Sequence, residues 1–312
     1  MILTGLGCSS ASTPTSAGPA GSSSSASSSG SSSSPSSAGT TGWKQVWAAN
    51  FDGAAGSSLS TADWQFLNGQ GTALFGNTGE IETTTSSTKN IHLDGHGDLD
   101  IVVQGHGAAG SPGTQWTSAR IKTQGLFGAP AGGEMMVTAS IKQPITGNGL
   151  GYWPAFWMLG PGTWPGTGEI DIMEDVDGIS NTSATVHCGN LTQRNSDGTF
   201  GPCRETTGIS SGLLPCPNCQ TAFHTYTVIV DRRNADDQQI RWYLDGTETF
   251  NVKEQQVGAA VWDAAFDHGL QIILDVAVGG SFPDKRCDCT TPTDQTTSSG
   301  AMVVQYVRVY TN

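Results

Sequence analysis

Short alternating runs of hydrophobic and polar residues, separated by Gly, Asn, Asp and Pro, characterise the chain from residue 43 onward. β-Branched and aromatic residues dominate these runs, which is typical of strands in an all-β protein. One short helix is predicted over 255–265, where apolar residues recur every three to four positions. Asp245-Gly246 between two such runs predicts a tight hairpin. Strands are predicted at 44–48, 91–93, 99–104, 119–123, 133–142, 151–159, 169–176, 183–188, 224–231, 239–244, 270–278 and 303–310.

This series of short strands predicts a two-sheet sandwich. The first 42 residues follow a different pattern, because they hold no charged side chain and seventeen of the thirty-four residues from Ser9 to Gly42 are serine. Such a segment cannot bury enough apolar surface to fold. We therefore predict a disordered linker over 1–42 and one folded domain over 43–312, which carries every charge and all nine Trp.

The charge balance restricts the partners of this domain. A formal net charge of −13 disfavours nucleic acid and sulfated polymers, which would meet a repulsive field. No run of about eighteen apolar residues occurs, so no transmembrane helix is predicted. We expect a monomer that acts on a neutral partner.

The opening residues, MILTGLGCSS, bear on export. They lack a basic n-region and their apolar run is short for a complete signal peptide, which predicts a start inside a longer precursor. An apolar run that ends at Cys8, before a Ser-rich tether, is similar to the end of a bacterial lipoprotein signal. Whether Cys8 carries a lipid anchor is therefore left open. The protein is expected to be extracellular or on the cell surface.

Six further cysteines lie in loop-like segments of the second half. They could form three disulfides, or four of them could bind zinc through Cys216-Pro-Asn-Cys219 and Cys287-Asp-Cys289. An even number behind an export-like segment favours disulfides, because these persist in oxidising compartments. Cys188 with Cys203 is the preferred pair, since both lie in one Gly-rich segment, and the pairing of the other four is open.

The segment GEIDIMEDV carries the main candidate chemistry. Alternation places Glu169 and Asp171 on one face of a strand, and at Met173 the alternation breaks. A β-bulge at that point would return Glu174 to the face of the other two acids. Two glutamates so placed bring their carboxyl groups to about 5 to 6 Å, the separation that retaining glycosidases use. A solvated acidic face and a calcium ligand set are the alternatives.

A preceding strand contributes aromatic residues. In WPAFWML, Trp153, Ala155 and Trp157 alternate onto one face. Two indoles beside a row of carboxylates would form a stacking surface for sugar rings, although two Trp in a strand are also common in cores.

Together these two segments resemble glycoside hydrolase family 16, and within it the laminarinase-like endo-β-1,3-glucanases. Further stretches continue the resemblance, namely GNTGEIE from Gly76, SARI from Ser118, FHTY from Phe223, RWYLDG from Arg241, AVGG from Ala277 and MVVQYVRVY from Met302. The resemblance implies an all-β, concanavalin-like jelly roll of two curved antiparallel sheets with a substrate cleft.

The resemblance also implies roles for individual residues. Glu169 would be the nucleophile, Glu174 the general acid/base and Asp171 the residue that assists the pair. Candidate glycan contacts are Arg120, Trp153, Trp157, Asn77 and His187, and a structural role is the alternative for His187. No cofactor is implied. Calcium is doubtful, because Ala49-Asn50 and Gln305 stand where the family places acidic residues of its calcium site.

The expected activity is endo-hydrolysis of β-1,3 linkages in a neutral, laminarin-type β-glucan with retention of configuration. Hydrolysis of mixed-linkage β-1,3-1,4-glucan, hydrolysis of β-galactan or agar, and transglycosylation would use the same acids. A non-catalytic glucan-recognition module and a structural cell-surface protein are the rivals from other classes. The presence of both glutamates favours catalysis, because binding alone has no need of them.

Overall fold

The strands of the protein were located in a computed structural model that describes residues 42–74, 78–106, 115–144 and 147–312. Those of the first half are β1 (Lys44–Asn50), β2 (Trp64–Phe66), β3 (Gly69–Gln70), β4 (Thr83–Thr84), β5 (Ile91–Leu93), β6 (Leu99–Val102), β7 (Gln104–His106), β8 (Gln115–Ser118), β9 (Arg120–Thr123) and β10 (Glu134–Lys142). Those of the second half are β11 (Tyr152–Leu159), β12 (Glu169–Glu174), β13 (Asn181–His187), β14 (Ile209–Ser210), β15 (Leu214–Pro215), β16 (His224–Asp231), β17 (Gln239–Leu244), β18 (Thr247–Lys253), β19 (Gln271–Val278) and β20 (Ala301–Thr311).

Helices are short and few among the described residues. They are α1 (Gly71–Leu74), α2 (Ala259–Phe266) and α3 (Ser281–Cys287), with one 3-10 turn at Glu254–Gln256. The helix predicted over 255–265 corresponds to this turn followed by α2. Sequence periodicity did not predict α3, because seven residues that include a proline give too short a pattern. None of the helices in the described ranges is long and apolar enough to cross a membrane.

Antiparallel pairing assembles two large sheets, which confirms the jelly-roll sandwich predicted above. Sheet I has the order β18-β17-β16-β10-β20-β6-β5, with β1 paired to β20. Sheet II has the order β14-β13-β12-β11-β19-β9-β2, with β15 paired to β13, and a small third sheet has the order β3-β4-β8-β7. The predicted hairpin is also confirmed, since Leu244 pairs with Thr247 and both turn residues between them have positive φ.

One hydrophobic core lies between sheets I and II. Val137 and Val307 contribute to it from sheet I, and Phe156, Ile170 and Leu274 from sheet II, all of them without solvent exposure. Burial alternates along most of β20, as expected for a strand with one face on a core, whereas β10 is buried along nearly its whole length. The β18 strand was not predicted because it is an edge strand whose residues are mostly exposed and polar.

Three disulfides close loops around sheet II. The preferred pair, Cys188–Cys203, is confirmed. The pairing that the sequence left open is Cys216–Cys219 and Cys287–Cys289. These bonds engage the four sulfur atoms that the zinc alternative required. Cys8 and most of the predicted linker lie outside the described residues, and residues 42–312 form one structural unit.

Candidate active site

The predicted β-bulge is present in β12. Phe156 of β11 pairs with Met173 while Trp157 pairs with Asp171, so one residue of β12 has no counterpart on β11. The pairing with β13 slips at the same place, between Asp171 and Glu174. The extra residue shifts the alternation by one step and returns Glu174 to the face of the other two acids.

The three acids of β12 are well shielded from solvent. Glu174 and Asp171 expose 9% and 4% of their surface, and Glu169 is half-buried. Glu174 accepts hydrogen bonds from Trp153 Nε1 (2.8 Å) and Ser183 Oγ (3.4 Å). The first of these bonds places the predicted stacking residue Trp153 directly against the predicted acid/base.

Burial raises the pKa of all three carboxyl groups. The pKa of Glu169 rises to about 7, and that of Glu174 is also above its ordinary value. The pKa of Asp171 is well above its ordinary value, because burial is reinforced by the neighbouring carboxylates. Carboxyl groups that hold protons near neutral pH are suited to acid and base catalysis.

His187, on β13, lies over two of these acids. Its Nε2 atom is 3.7 Å from Glu169 Oε1 and 3.6 Å from Asp171 Oδ2. Its Nδ1 atom is 2.7 Å from Oε2 of Glu205, which is buried. Burial by itself would lower the pKa of His187, but the hydrogen bond to Glu205 and the surrounding carboxylates raise it to about 9. Among the described residues, His187 is therefore the one cationic side chain within ion-pair distance of Glu169 and Asp171.

Trp164, in the loop before β12, is a site residue that the sequence analysis missed. Its Nε1 atom donates a hydrogen bond to Glu169 Oε2 (3.1 Å), and its ring lies 5.5 Å from that of His187. Glu205 was missed as well. Signals for both were available, since Trp164 is five residues before Glu169, and the preferred Cys188–Cys203 pair brings the neighbours of its two cysteines together.

Arg120 lies below the surface, on β9. Its guanidinium forms ion pairs with Glu80 (2.6 Å) and Asp275 (2.9 Å), and only 2% of the residue is exposed. Asp275 also accepts a hydrogen bond from Trp157 Nε1 (2.7 Å), and Arg120 lies 5.8 Å from the centre of the Trp157 ring. In this structure both Arg120 and Trp157 therefore contact other protein groups.

The remaining predicted contacts are distributed around this centre. Trp153 is partly exposed, and its ring packs edge-on against Phe282 of α3 at 5.6 Å between centroids. Asn77 lies outside the described residues. The sequence analysis thus placed Glu169, Asp171, Glu174, Trp153 and His187 in what proves to be one cluster.

Two groups of side chains in the described ranges have ligand atoms spaced closely enough for a metal ion. One consists of Cys216, Cys219 and His224, but its cysteines form a disulfide. The other consists of Glu169, Asp171 and His187, where the imidazole itself neutralises the carboxylates. We assign neither as a metal centre.

The calcium site that the resemblance implies would lie in a different part of the molecule. Gln305 is an extra residue in β20 opposite β10, where it accepts a hydrogen bond from Ser140 Oγ (2.8 Å). A neutral amide that is already hydrogen-bonded is a poor replacement for a carboxylate ligand. The residues present therefore do not fit the calcium site that the resemblance would place here.

Comparison with known proteins identifies the family. The family described as "XgeA-like, catalytic GH16 domain" matches residues 81–237. An endo-1,3-β-glucanase structure from Streptomyces sioyaensis is 44% identical, with a TM-score of 0.78, and the match covers 88% of this chain and 99% of that one. The chain belongs to glycoside hydrolase family 16. Within the family it is also similar to an endo-β-1,3-glucanase from Pyrococcus furiosus, at 33% identity and a TM-score of 0.65, over 86% of this chain and 94% of that one.

A third relative is the longer protein named glucan endo-1,3-beta-glucosidase A1, from Niallia circulans. The two are 30% identical over an alignment of 290 positions, which covers 86% of this chain and 38% of that protein. The chain therefore spans less than half the length of this relative.

Proposed function

We propose that this family 16 chain is an endo-acting β-1,3-glucanase that hydrolyses its substrate by a retaining double displacement. The observation that carries the proposal is the bulged β12 strand, which presents Glu169 and Glu174 on one face. Retaining glycosidases need two carboxyl groups about 5 Å apart that flank the scissile bond, and a strand that carries both glutamates on one face can supply them. The names of the relatives above supply the β-1,3-glucan substrate class.

In the first step, Glu169 attacks the anomeric carbon as a carboxylate. The imidazolium of His187 and the indole N–H of Trp164 both favour its ionised form. Burial raises the pKa of both glutamates, and the mechanism assigns the proton to Glu174, which has no cation within ion-pair distance among the described residues. It donates its proton to the departing glycosidic oxygen, and a covalent glycosyl-enzyme forms.

In the second step, Glu174 acts as a base. It removes a proton from water, which attacks the anomeric carbon and releases Glu169 with the original configuration restored. Asp171 lies between the two glutamates along β12, and burial and the neighbouring carboxylates favour its protonated form. A neutral hydrogen-bond donor at this position assists the nucleophile without adding a third negative charge.

The wider properties of the chain agree with a neutral polysaccharide substrate. A net charge of −13 disfavours a polyanionic one. We propose that residues 43–312 form the catalytic domain and that 1–42 tether it. We also propose that the protein is exported and monomeric, with Cys8 as a candidate lipid anchor, since three disulfides suit an oxidising compartment.

The test is incubation of the full chain with laminarin, mixed-linkage β-glucan, agarose and xyloglucan. New reducing ends and oligosaccharide products would be measured, and NMR would follow the anomeric configuration of the first products. We expect β-configured oligosaccharides from laminarin. Glu169→Gln should lower kcat by more than about 10³-fold while laminarin binding changes by less than about threefold.

Each other outcome points to a different conclusion. Release from another polymer alone would keep the mechanism and replace the substrate. Laminarin binding without release of sugar would favour a recognition module or a structural protein. Substantial activity in Glu169→Gln would contradict the nucleophile assignment.

A further inference from the structure

Glu205 lies outside the row of acids on β12, yet it contacts the residue that neutralises them. We propose that Glu205 is a positioning residue, which acts through His187 to hold a positive charge against the nucleophile Glu169. This inference rests on the proposed function for its kinetic consequences only. Its structural part concerns a hydrogen bond that exists without substrate.

The contacts of the Glu205 carboxylate are directed to two neighbouring residues. Oε2 is 2.7 Å from His187 Nδ1, and Oε1 accepts a hydrogen bond from the Cys188 backbone N–H at 2.9 Å. Its side chain has no solvent exposure. A buried carboxylate with an imidazole and a backbone N–H as partners orients the ring and favours its protonated form.

The loop that carries Glu205 is tied to β13. The Cys188–Cys203 disulfide joins the residue after His187 to a residue two positions before Glu205. The backbone of Glu205 forms two hydrogen bonds with that of Phe200, at 2.6 and 2.7 Å. These ties hold the carboxylate in place, so the His187 ring cannot turn away from Glu169 without losing the bond at Nδ1.

The groups that face His187 explain why Glu205 matters. Glu169 and Asp171 face its Nε2 atom from β12, Glu205 faces its Nδ1 atom, and the Trp164 ring lies against it. Glu174 acts on it at longer range. Among the described residues, His187 is the one cationic group within ion-pair distance of Glu169 and Asp171. The charge of Glu205 also raises the pKa of Glu169 directly, but its closest contact is the 2.7 Å bond to His187. Removing that charge should therefore act mainly by lowering the basicity of His187, which makes both catalytic glutamates harder to ionise.

The main experiment compares the pH dependence of kcat/KM on laminarin for the wild type and Glu205→Gln, which keeps the shape of the side chain. We expect the variant's profile to move to higher pH by about half to one unit on both limbs. At pH 6 we expect kcat/KM to fall by about 3- to 10-fold, which is the most that a shift of half to one pH unit produces, while KM stays within about threefold.

Glu248→Gln is the matched control. Glu248 is exposed on β18 and, like Glu205, accepts two hydrogen bonds, from Tyr243 and Asn251. Glu248→Gln changes the net charge by the same amount as Glu205→Gln but does not contact the site. Its pH profile should therefore coincide with that of the wild type. A Glu205→Gln profile at the wild-type position would overturn the proposal, even if the variant is less active.

A second measurement tests the proposal even if Glu205→Gln does not fold or if the wild type hydrolyses no glucan. Ring ¹⁵N NMR of the wild-type protein, with the signal assigned by its absence from His187→Gln, gives the pKa of His187 directly. We expect a value of about 9. Titration of His187 at or below about 6.5, the value of a free imidazole, would refute the role of Glu205 whatever the substrate is.

Discussion

The three acids of β12 differ in the side chains that contact them. Glu169 is near a cation and an indole N–H, whereas Glu174 has an indole and a hydroxyl as partners. Asp171 shares the His187 contact with Glu169, at 3.6 Å, but burial and the neighbouring carboxylates raise its pKa well above the ordinary value. Side chains of one chemical type thus have different neighbours, which act differently on their pKa values.

This difference predicts the effect of Asp171→Asn. An amide closely matches the neutral carboxyl group in shape, so the variant should fold with an unchanged melting temperature. We expect kcat on laminarin to fall by about 10- to 100-fold, well short of the loss in Glu169→Gln, because the variant removes assistance and keeps the nucleophile. Asp237→Asn, at an exposed position, is the control. Equal inactivation by Asp171→Asn and Glu169→Gln would contradict a merely assisting role.

At the scale of elements, the bulged strand is held from the opposite sheet. Trp242 of β17, in sheet I, donates a hydrogen bond from Nε1 to the backbone carbonyl of Asp171 in sheet II (2.8 Å). Its indole is fully buried in the core between the sheets. The bulge therefore has a support that lies 71 residues away along the chain.

Trp242→Phe tests whether the hydrogen bond from Trp242 to Asp171 affects catalysis in addition to stability. We expect a loss of about 1–3 kcal/mol in the free energy of unfolding, because a buried carbonyl loses its partner and a cavity opens. We also expect a lower kcat, because β12 loses its fixed position. Trp262→Phe is the control, since Trp262 is equally buried and donates to Gln238, away from the acids. Equal kcat in both variants would show that the bond to Asp171 serves stability alone.

At the scale of the whole molecule, buried acids make stability depend on pH. Burial raises the pKa of Glu82 and of Asp175 to about 8, and that of Asp275 to about 6. The pKa of His187 is raised to about 9. Each group binds its proton more tightly in the folded state than in the unfolded one. The free energy of unfolding must then fall as the pH rises from about 4 to about 9.

We therefore expect a higher melting temperature at pH 5 than at pH 8.5. Asp175→Asn should flatten this dependence, because both carboxylate oxygens of Asp175 are buried without a hydrogen-bond partner within the described structure. Asp175→Asn should raise the free energy of unfolding, and this increase should be larger at pH 8 than at pH 5 by about 1–3 kcal/mol. Calorimetry at the two pH values, with exposed Asp236→Asn as the control, measures it. A melting temperature that rises with pH would contradict the assignment of raised pKa values.

The sequence by itself determined the features that depend on neighbours along the chain. Alternation along each strand predicted the sandwich, and the break at Met173 predicted the bulge that unites Glu169 and Glu174 on one face. The proximity of Cys188 and Cys203 in one loop likewise predicted their bond. Each of these features follows from a period of two residues or from a short loop, so a local pattern contains the information.

Only the tertiary structure decided which partners the acids have. Glu205 reaches His187 because a disulfide-closed loop folds back on β13, and Arg120 is enclosed between Glu80 and Asp275 from distant strands. Contacts of this kind depend on sheet register and loop path. A sequence pattern can predict that a strand presents acids on one face, but the charges and hydrogen bonds that set their protonation come from residues far away along the chain.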